Sequence, residues 1–319
     1  MRTPVAFIIF NRPDVTARVF AEIARARPPK LLVVADGPRA DRPGEREACR
    51  AARAVVERVD WDCEVLTNFS DVNLGCRGRV SSGITWVFEQ VEEAIILEDD
   101  CVPDPTFFRY CDELLEKYRD DERVPMICGS SFLPEKPATH SYYFSRYGHV
   151  WGWATWRRAW GHYDVSLAAW PELRGTTWLE DVLGEPAAAA YWRERFDATY
   201  AGQVDTWDYQ WFFTCWAQNG MAVLPSINLV TNVGFGEDAT HTKTAVSTMS
   251  YLPAGAIPFP LRHPRYMVRS REDDQLAFRR ICPWAVPQPG LGGWARRNLS
   301  PLLPGPIRKS LSYLRAKSA

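Results

Sequence analysis

Glu98-Asp99-Asp100 follows directly on the apolar run Ala94-Ile95-Ile96-Leu97. An apolar run of that length suits a strand buried on both faces. Three carboxylates cannot continue into a core without partners, so the strand must emerge there, at the carboxyl edge of a sheet. Open α/β sheets bind ligands at that edge. Grouped carboxylate oxygens there suit Mg²⁺ or Mn²⁺ carrying phosphates. The plain alternative is a solvated acidic turn. Asp208, in Trp207-Asp208-Tyr209-Gln210-Trp211, is a second candidate carboxylate. Asp205 is its rival, with helix capping near Trp207 as its structural alternative.

Elements that could position these groups can be read along the chain. Val5–Phe10, Leu31–Ala35, Cys63–Asn68 and Ala94–Leu97 read as strands. Between them, 14–27, 45–59 and 79–91 have helical spacing. This alternation predicts a mostly parallel sheet flanked by helices. Asn11 and Arg12, then Asp36, then Glu98–Asp100 would end strands on one edge. Further on, 107–118, 187–200 and 208–219 read as helices, and 126–132 and 222–230 as strands. Residues 140–180 read as irregular and aromatic-rich.

Formal net charge is −1 and 46% of residues are hydrophobic, with no basic excess pointing to nucleic acid. The N-terminal apolar run is too short for a signal peptide or membrane span. None of the eight cysteines forms Cys-x-x-Cys, so a zinc site is not expected, and reduced thiols in the cytoplasm are. Fourteen tryptophans, six of them between Trp151 and Trp178, either fill a core or stack on sugar rings.

In order, these landmarks resemble the GT-A nucleotide-sugar glycosyltransferases, in particular the N-acetylglucosaminyltransferase I group and bacterial family 2-like enzymes. The likeness covers roughly residues 4–245. It rests on Asp36-Gly37 after the N-terminal strands, on Ile95-Ile96-Leu97-Glu98-Asp99-Asp100, on Gly148-His149-Val150-Trp151-Gly152-Trp153, and on the Trp207–Trp211 segment. The last carries one residue more between Asp and the second Trp than the family's segment.

The resemblance implies a GT-A, Rossmann-like α/β fold. Residues 1–130 would form the donor half, 131–250 the acceptor half, and 251–319 a C-terminal extension. It implies a metal-dependent, inverting transfer from a UDP-sugar, with N-acetylglucosamine the first donor to try, to a glycan or glycolipid hydroxyl. Asp100 would hold Mn²⁺ or Mg²⁺, and Glu98 and Asp99 would face ribose and sugar hydroxyls. Glu98 could instead support the metal loop. Asp208 would be the base.

Phe10, Asn11 and Arg12 would lie along the nucleotide, though Arg12 could equally form a structural ion pair. Asp36 would bind uracil or else form a turn. Arg79, in a Gly/Arg-rich segment preceding a helix, would meet phosphate. Trp151 and Trp153 would lie beside the donor. Asn232–His241 would close over it, with His241 near metal or diphosphate or merely solvated.

Two other classes stay open: a sugar-1-phosphate nucleotidyltransferase and a non-catalytic carbohydrate-binding protein. Asn11-Arg12-Pro13-Asp14 is not the Gly-rich basic loop of the former. The acid-free, basic tail after Ile281 suits a peripheral contact with the inner membrane face, a packed helix, or disorder.

Overall fold

A computed structural model describes residues 1–133, 139–234 and 252–285 of the chain. Met1–Ile281 forms one compact unit, and Cys282–Ala319 is a separate one. His241 and the basic tail residues from Arg296 onward lie outside the described residues.

The first half alternates strand and helix as the apolar spacing predicts. In order come β1 (Val5–Ile9), α1 (Pro13–Ala26), β2 (Lys30–Ala35), α2 (Glu45–Val55), β3 (Glu64–Phe69), α3 (Gly75–Gln90) and β4 (Glu93–Glu98). Helix α1 starts with proline, which loses no hydrogen bond in the first turn. It buries Thr16, Val19, Phe20 and Ile23 and ends at left-handed Arg27, whose N–H closes on Ile23 O at 3.0 Å. The strands run parallel in the order β3-β2-β1-β4. β1 is wholly buried, whereas β3, at the sheet's edge, alternates exposed and half-buried residues.

Next come β5 (Cys101–Pro103), α4 (Thr106–Lys117), β6 (Ile127–Cys128), β7 (Tyr142–Ser145) and β8 (Trp153–Trp156). They are followed by α5 (Arg157–Trp160), α6 (Trp170–Leu173), α7 (Trp178–Leu183), α8 (Pro186–Tyr200), α9 (Asp208–Ala217), β9 (Ala222–Pro225), β10 (Val230–Asn232) and α10 (Arg271–Ile281). β8 pairs antiparallel with β4, and β6, β9 and β7 extend the sheet to eight strands. The architecture is therefore α/β, with a Rossmann-like parallel half and a mixed half.

Residues 140–180 are not irregular. They supply β7, β8 and three short helices, because their aromatics pack inward as a second core. Trp153, Trp160, Trp207 and Trp211 pack together, with the centroids of Trp153 and Trp211 5.4 Å apart and those of Trp160 and Trp211 5.2 Å apart. Residues 252–281, assigned from sequence to the C-terminal extension, pack on this same unit. Ser141 N donates to Arg262 O at 2.9 Å, and Phe144 bridges to Arg269. Among the described residues no helix is long and apolar enough to cross a membrane, and no disulfide forms.

Candidate functional site

Parallel pairing places three strand ends side by side. Ile9 is level with Ala35, and Ile8 with Glu98, so Phe10–Arg12, Asp36 and Glu98–Asp100 all leave the same edge. The acidic turn is pinned on its far side. β5 begins at Cys101 and pairs antiparallel with β10, Asn232 opposite Cys101. Val233 N then donates to Asp100 O at 2.8 Å. Gly234 lies so close that a Cβ there would collide with Asp100 Oδ2. The start of the expected closing loop thus rests on the acid expected to hold metal. Only a residue without a side chain fits there.

The three acids have different surroundings. Asp99 is buried; one of its oxygens accepts from Phe10 N at 3.2 Å and the other from Arg12. Burial raises its carboxyl above the ordinary range, against the pull of Arg12. Asp100 accepts from the same Arg12 nitrogen at 2.9 Å. Glu98 is half-buried and faces Asp208 as well as its two neighbours. Burial first, then repulsion from Asp100, Asp99 and Asp208, raises its carboxyl. Asp208, 110 residues later in sequence, thus lies near enough to Glu98 to act on it electrostatically.

Asp208 opens α9. Its Oδ1 accepts from Thr206 Oγ1 and, at 3.0 Å, from Tyr209 N. The segment leading to it is held from elsewhere. Asp205 does not cap the helix near Trp207; it reaches α3, accepting from Cys76 N at 3.1 Å and Arg77 N at 2.9 Å. It therefore caps a helix 130 residues earlier. Tyr163 Oη donates to Trp207 O at 3.1 Å, and Arg77 donates to Val165 O at 2.9 Å. The Asp205 and Arg77 bonds tie the segments around Asp208 and Val165 to the start of α3. Sequence reasoning missed this brace, and only the acceptor-rich Asp205 hinted at it.

The remaining expected site residues divide. Asn11 donates to Glu45 Oε1 at 3.0 Å, and Glu45 also pairs with Arg39, whose guanidinium lies 5.5 Å from the Phe10 ring centroid. Asp36 is buried and works as a turn former: it accepts from Gly37 N at 2.8 Å, Leu74 N at 2.9 Å, Gly75 N at 3.2 Å and Asn73 Nδ2 at 3.0 Å. Burial still leaves its carboxyl raised.

Arg79 does not reach toward phosphate. It is buried, with Nε on Ala35 O at 3.1 Å and a terminal nitrogen on Asn68 O and on Asn68 Oδ1 at 2.9 Å. Its guanidinium joins the ends of β2 and β3. Trp153 is also no donor contact. It is 0% exposed, in the indole block, where no ligand reaches it. Trp151 is half-buried, edge-on to Phe132 at 5.9 Å, in a recess lined also by Ser130, Asn228 and Asn232.

Among the described residues no three His, Cys, Asp or Glu side chains come together as a ready-made metal cage. Asp100 and Glu98 are the carboxylates there that the sequence reading assigns to an ion completing its shell with phosphate oxygens and water. Mg²⁺ and Mn²⁺ bind phosphates in that way.

No family model matches the chain, and no curated protein matches it in sequence. Among solved structures it is similar to a UDP-glucose pyrophosphorylase complexed with UDP-glucose, at 12% identity, covering 47% of this chain and 64% of that one, TM-score 0.27. The chain thus spans less than two thirds of that protein. It is also similar to mouse xyloside xylosyltransferase 1 in its apo form, at 13% identity, covering 67% of this chain and 81% of that one, TM-score 0.32. A third likeness is to an apo UDP-glucose pyrophosphorylase, at 8% identity over 69% and 90% of the two chains, TM-score 0.36. At these scores none of them says what this chain binds.

Proposed function

We propose that this chain is a metal-dependent, inverting glycosyltransferase that moves a sugar from a UDP-sugar to a glycan or glycolipid hydroxyl. The observation that carries this proposal is the Glu98–Asp100 cluster at the carboxyl edge of four parallel strands, with Asp208, from a separate helix, near enough to act on Glu98 electrostatically. Donor and acceptor chemistry need different carboxylates, and the Glu98–Asp100 cluster and Asp208 would supply them.

Asp100, with Glu98 beside it, would hold Mn²⁺ or Mg²⁺. When bound, the ion would offset charge developing on the departing diphosphate. Phe10 and Asn11 would lie along the nucleotide, and Asp36, whose oxygens are taken up by the turn it forms, would shape the strand edge beside it. Asp208 would take the acceptor hydroxyl's proton as the bond from sugar C1 to phosphate breaks. N-acetylglucosamine is the first donor to try.

A thermal-shift screen with UDP, GDP, CMP and TDP, each with and without Mn²⁺, tests the donor site. A ligand that binds only the folded state raises Tm. A UDP shift that requires Mn²⁺ and disappears in Asp100→Ala is the expected result. No shift with any nucleotide refutes it. Pyrophosphate release from a nucleoside triphosphate would instead make the protein a sugar-1-phosphate nucleotidyltransferase. Asp208→Asn should abolish transfer while leaving the UDP shift; transfer near the wild-type rate would remove Asp208 from the base role.

A further inference from the structure

We infer that Arg12 is a built-in counter-ion that occupies the acidic cluster until a divalent cation displaces it. One guanidinium nitrogen bonds to carboxylate oxygens of two adjacent residues, Asp99 and Asp100, at 2.9 Å from Asp100 Oδ2. The side chain is only 28% exposed, and the two carboxyl groups it joins are 5% and 17% exposed. A shared nitrogen between two shielded carboxylates is the arrangement of a bound cation, supplied here by the chain itself.

The position of Arg12 is fixed from both sides. Pro13 begins α1 directly after it, and its carbonyl accepts from Thr16 N at 3.0 Å and Thr16 Oγ1 at 2.7 Å, so the backbone at Arg12 is anchored. The acids are anchored by the β5–β10 pairing and by Phe10 N. Asp100 Oδ2 is bounded by Arg12 on one side and the Gly234 backbone on another. A divalent ion that takes this oxygen either shares it with the guanidinium at close range or displaces it. One that takes Oδ1 lies within a few ångströms of a like charge. Either way the two cations compete, since repulsion at such range in a half-buried site is large.

The inference rests on the proposed function for one further step. A displaced Arg12 fork lies next to the ion and suits the oxygens of an incoming diphosphate. Metal and nucleotide then assist each other, and the assistance is reciprocal. Arg12 would thereby keep the empty protein from holding metal tightly and make metal capture depend on donor arrival.

Mn²⁺ titrations followed by electron paramagnetic resonance of the free ion, with and without UDP, test this on the full chain. Arg12→Gln should bind Mn²⁺ alone about tenfold more tightly than wild type, and Arg12→Lys, which keeps the charge, should stay near wild type. The gain in Mn²⁺ affinity caused by UDP should be smaller in Arg12→Gln than in wild type. Mn²⁺ affinity that is unchanged or weaker in folded Arg12→Gln, or no Mn²⁺ binding by any form, overturns the inference. If Arg12→Gln fails to fold, because Asp99 is left uncompensated, Asp99→Asn and Asp99→Asn/Arg12→Gln are compared instead, the double variant being expected to bind Mn²⁺ more tightly. Absence of UDP binding in every form would refute the donor site while leaving the Mn²⁺ comparison to decide the role of Arg12.

Discussion

Asp205→Ala tests whether the segment leading to Asp208 is braced by the start of α3. The carboxylate accepts two orphan N–H groups at 2.9 and 3.1 Å, across 128 and 129 residues of sequence. Removing a helix cap costs typically about 1 kcal/mol. Removing a negative charge from a helix N-terminus costs about 0.3–1 kcal/mol more. Asp205 is exposed, so the sum belongs in the lower part of that range, about 1–1.5 kcal/mol. For a unit of this size that is a fall in Tm of roughly 2–3 °C by calorimetry. Asparagine caps helices as well as aspartate, so Asp205→Asn should lose only the charge contribution, and that loss should fade in about 1 M salt. Transfer rate should fall more than UDP affinity in Asp205→Ala, because the brace holds the segment leading to Asp208. An unaffected Tm in the alanine variant, or an asparagine variant as damaged as alanine in high salt, would refute the brace.

Arg79→Ala should cost about 2–4 kcal/mol in urea unfolding, since the Ala35 and Asn68 carbonyls lose their donor, while the folded variant keeps UDP affinity within about threefold. A large loss of affinity without loss of stability would return Arg79 to phosphate binding. Trp153→Ala should cost about 3–5 kcal/mol, and Trp151→Ala less than half as much; equal costs would contradict the burial difference. Glu45 has its carboxyl lowered: burial acts to raise it, but hydrogen bonds and charge from Arg39 together with the Asn11 bond prevail. A folded value below the unfolded one means stability present above the unfolded pKa and lost as pH falls through the folded one. Urea melts from pH 7 to 3 should therefore show the advantage of wild type over Glu45→Gln shrinking as the pH drops below about 4.3. An advantage constant with pH would refute it.

The parallel half was legible because its signals are local. Apolar runs such as Val5–Ile9 and Ala94–Leu97 allow only buried strands, and the acids that follow must leave the sheet. The Asn11, Asp36 and Glu98–Asp100 positions followed from that. What failed depended on distant partners. Arg79 looked like a phosphate ligand because its partners Ala35 and Asn68 lie 44 and 11 residues away. Asp205 looked like a local cap for the same reason. Trp151 and Trp153 are two residues apart in one motif, and only β8 decides that one faces a recess and the other the core. Strands inside 140–180 were hidden because β7 and β8 are only four residues long, too short for a period to register.

The indole block has an optical consequence. Trp207 stacks on Trp153 with ring centroids 5.7 Å apart and an interplanar angle of 23°, and Trp207 immediately precedes Asp208. Transition dipoles at that separation couple, so the block should give a near-ultraviolet circular dichroism couplet whose sign and size follow the angle between rings. Any tilt of α9 that moves Asp208 must also turn one ring of the coupled pair. The chain therefore carries an unlabelled spectroscopic gauge of its candidate base, readable in solution while nucleotide, metal or acceptor is added.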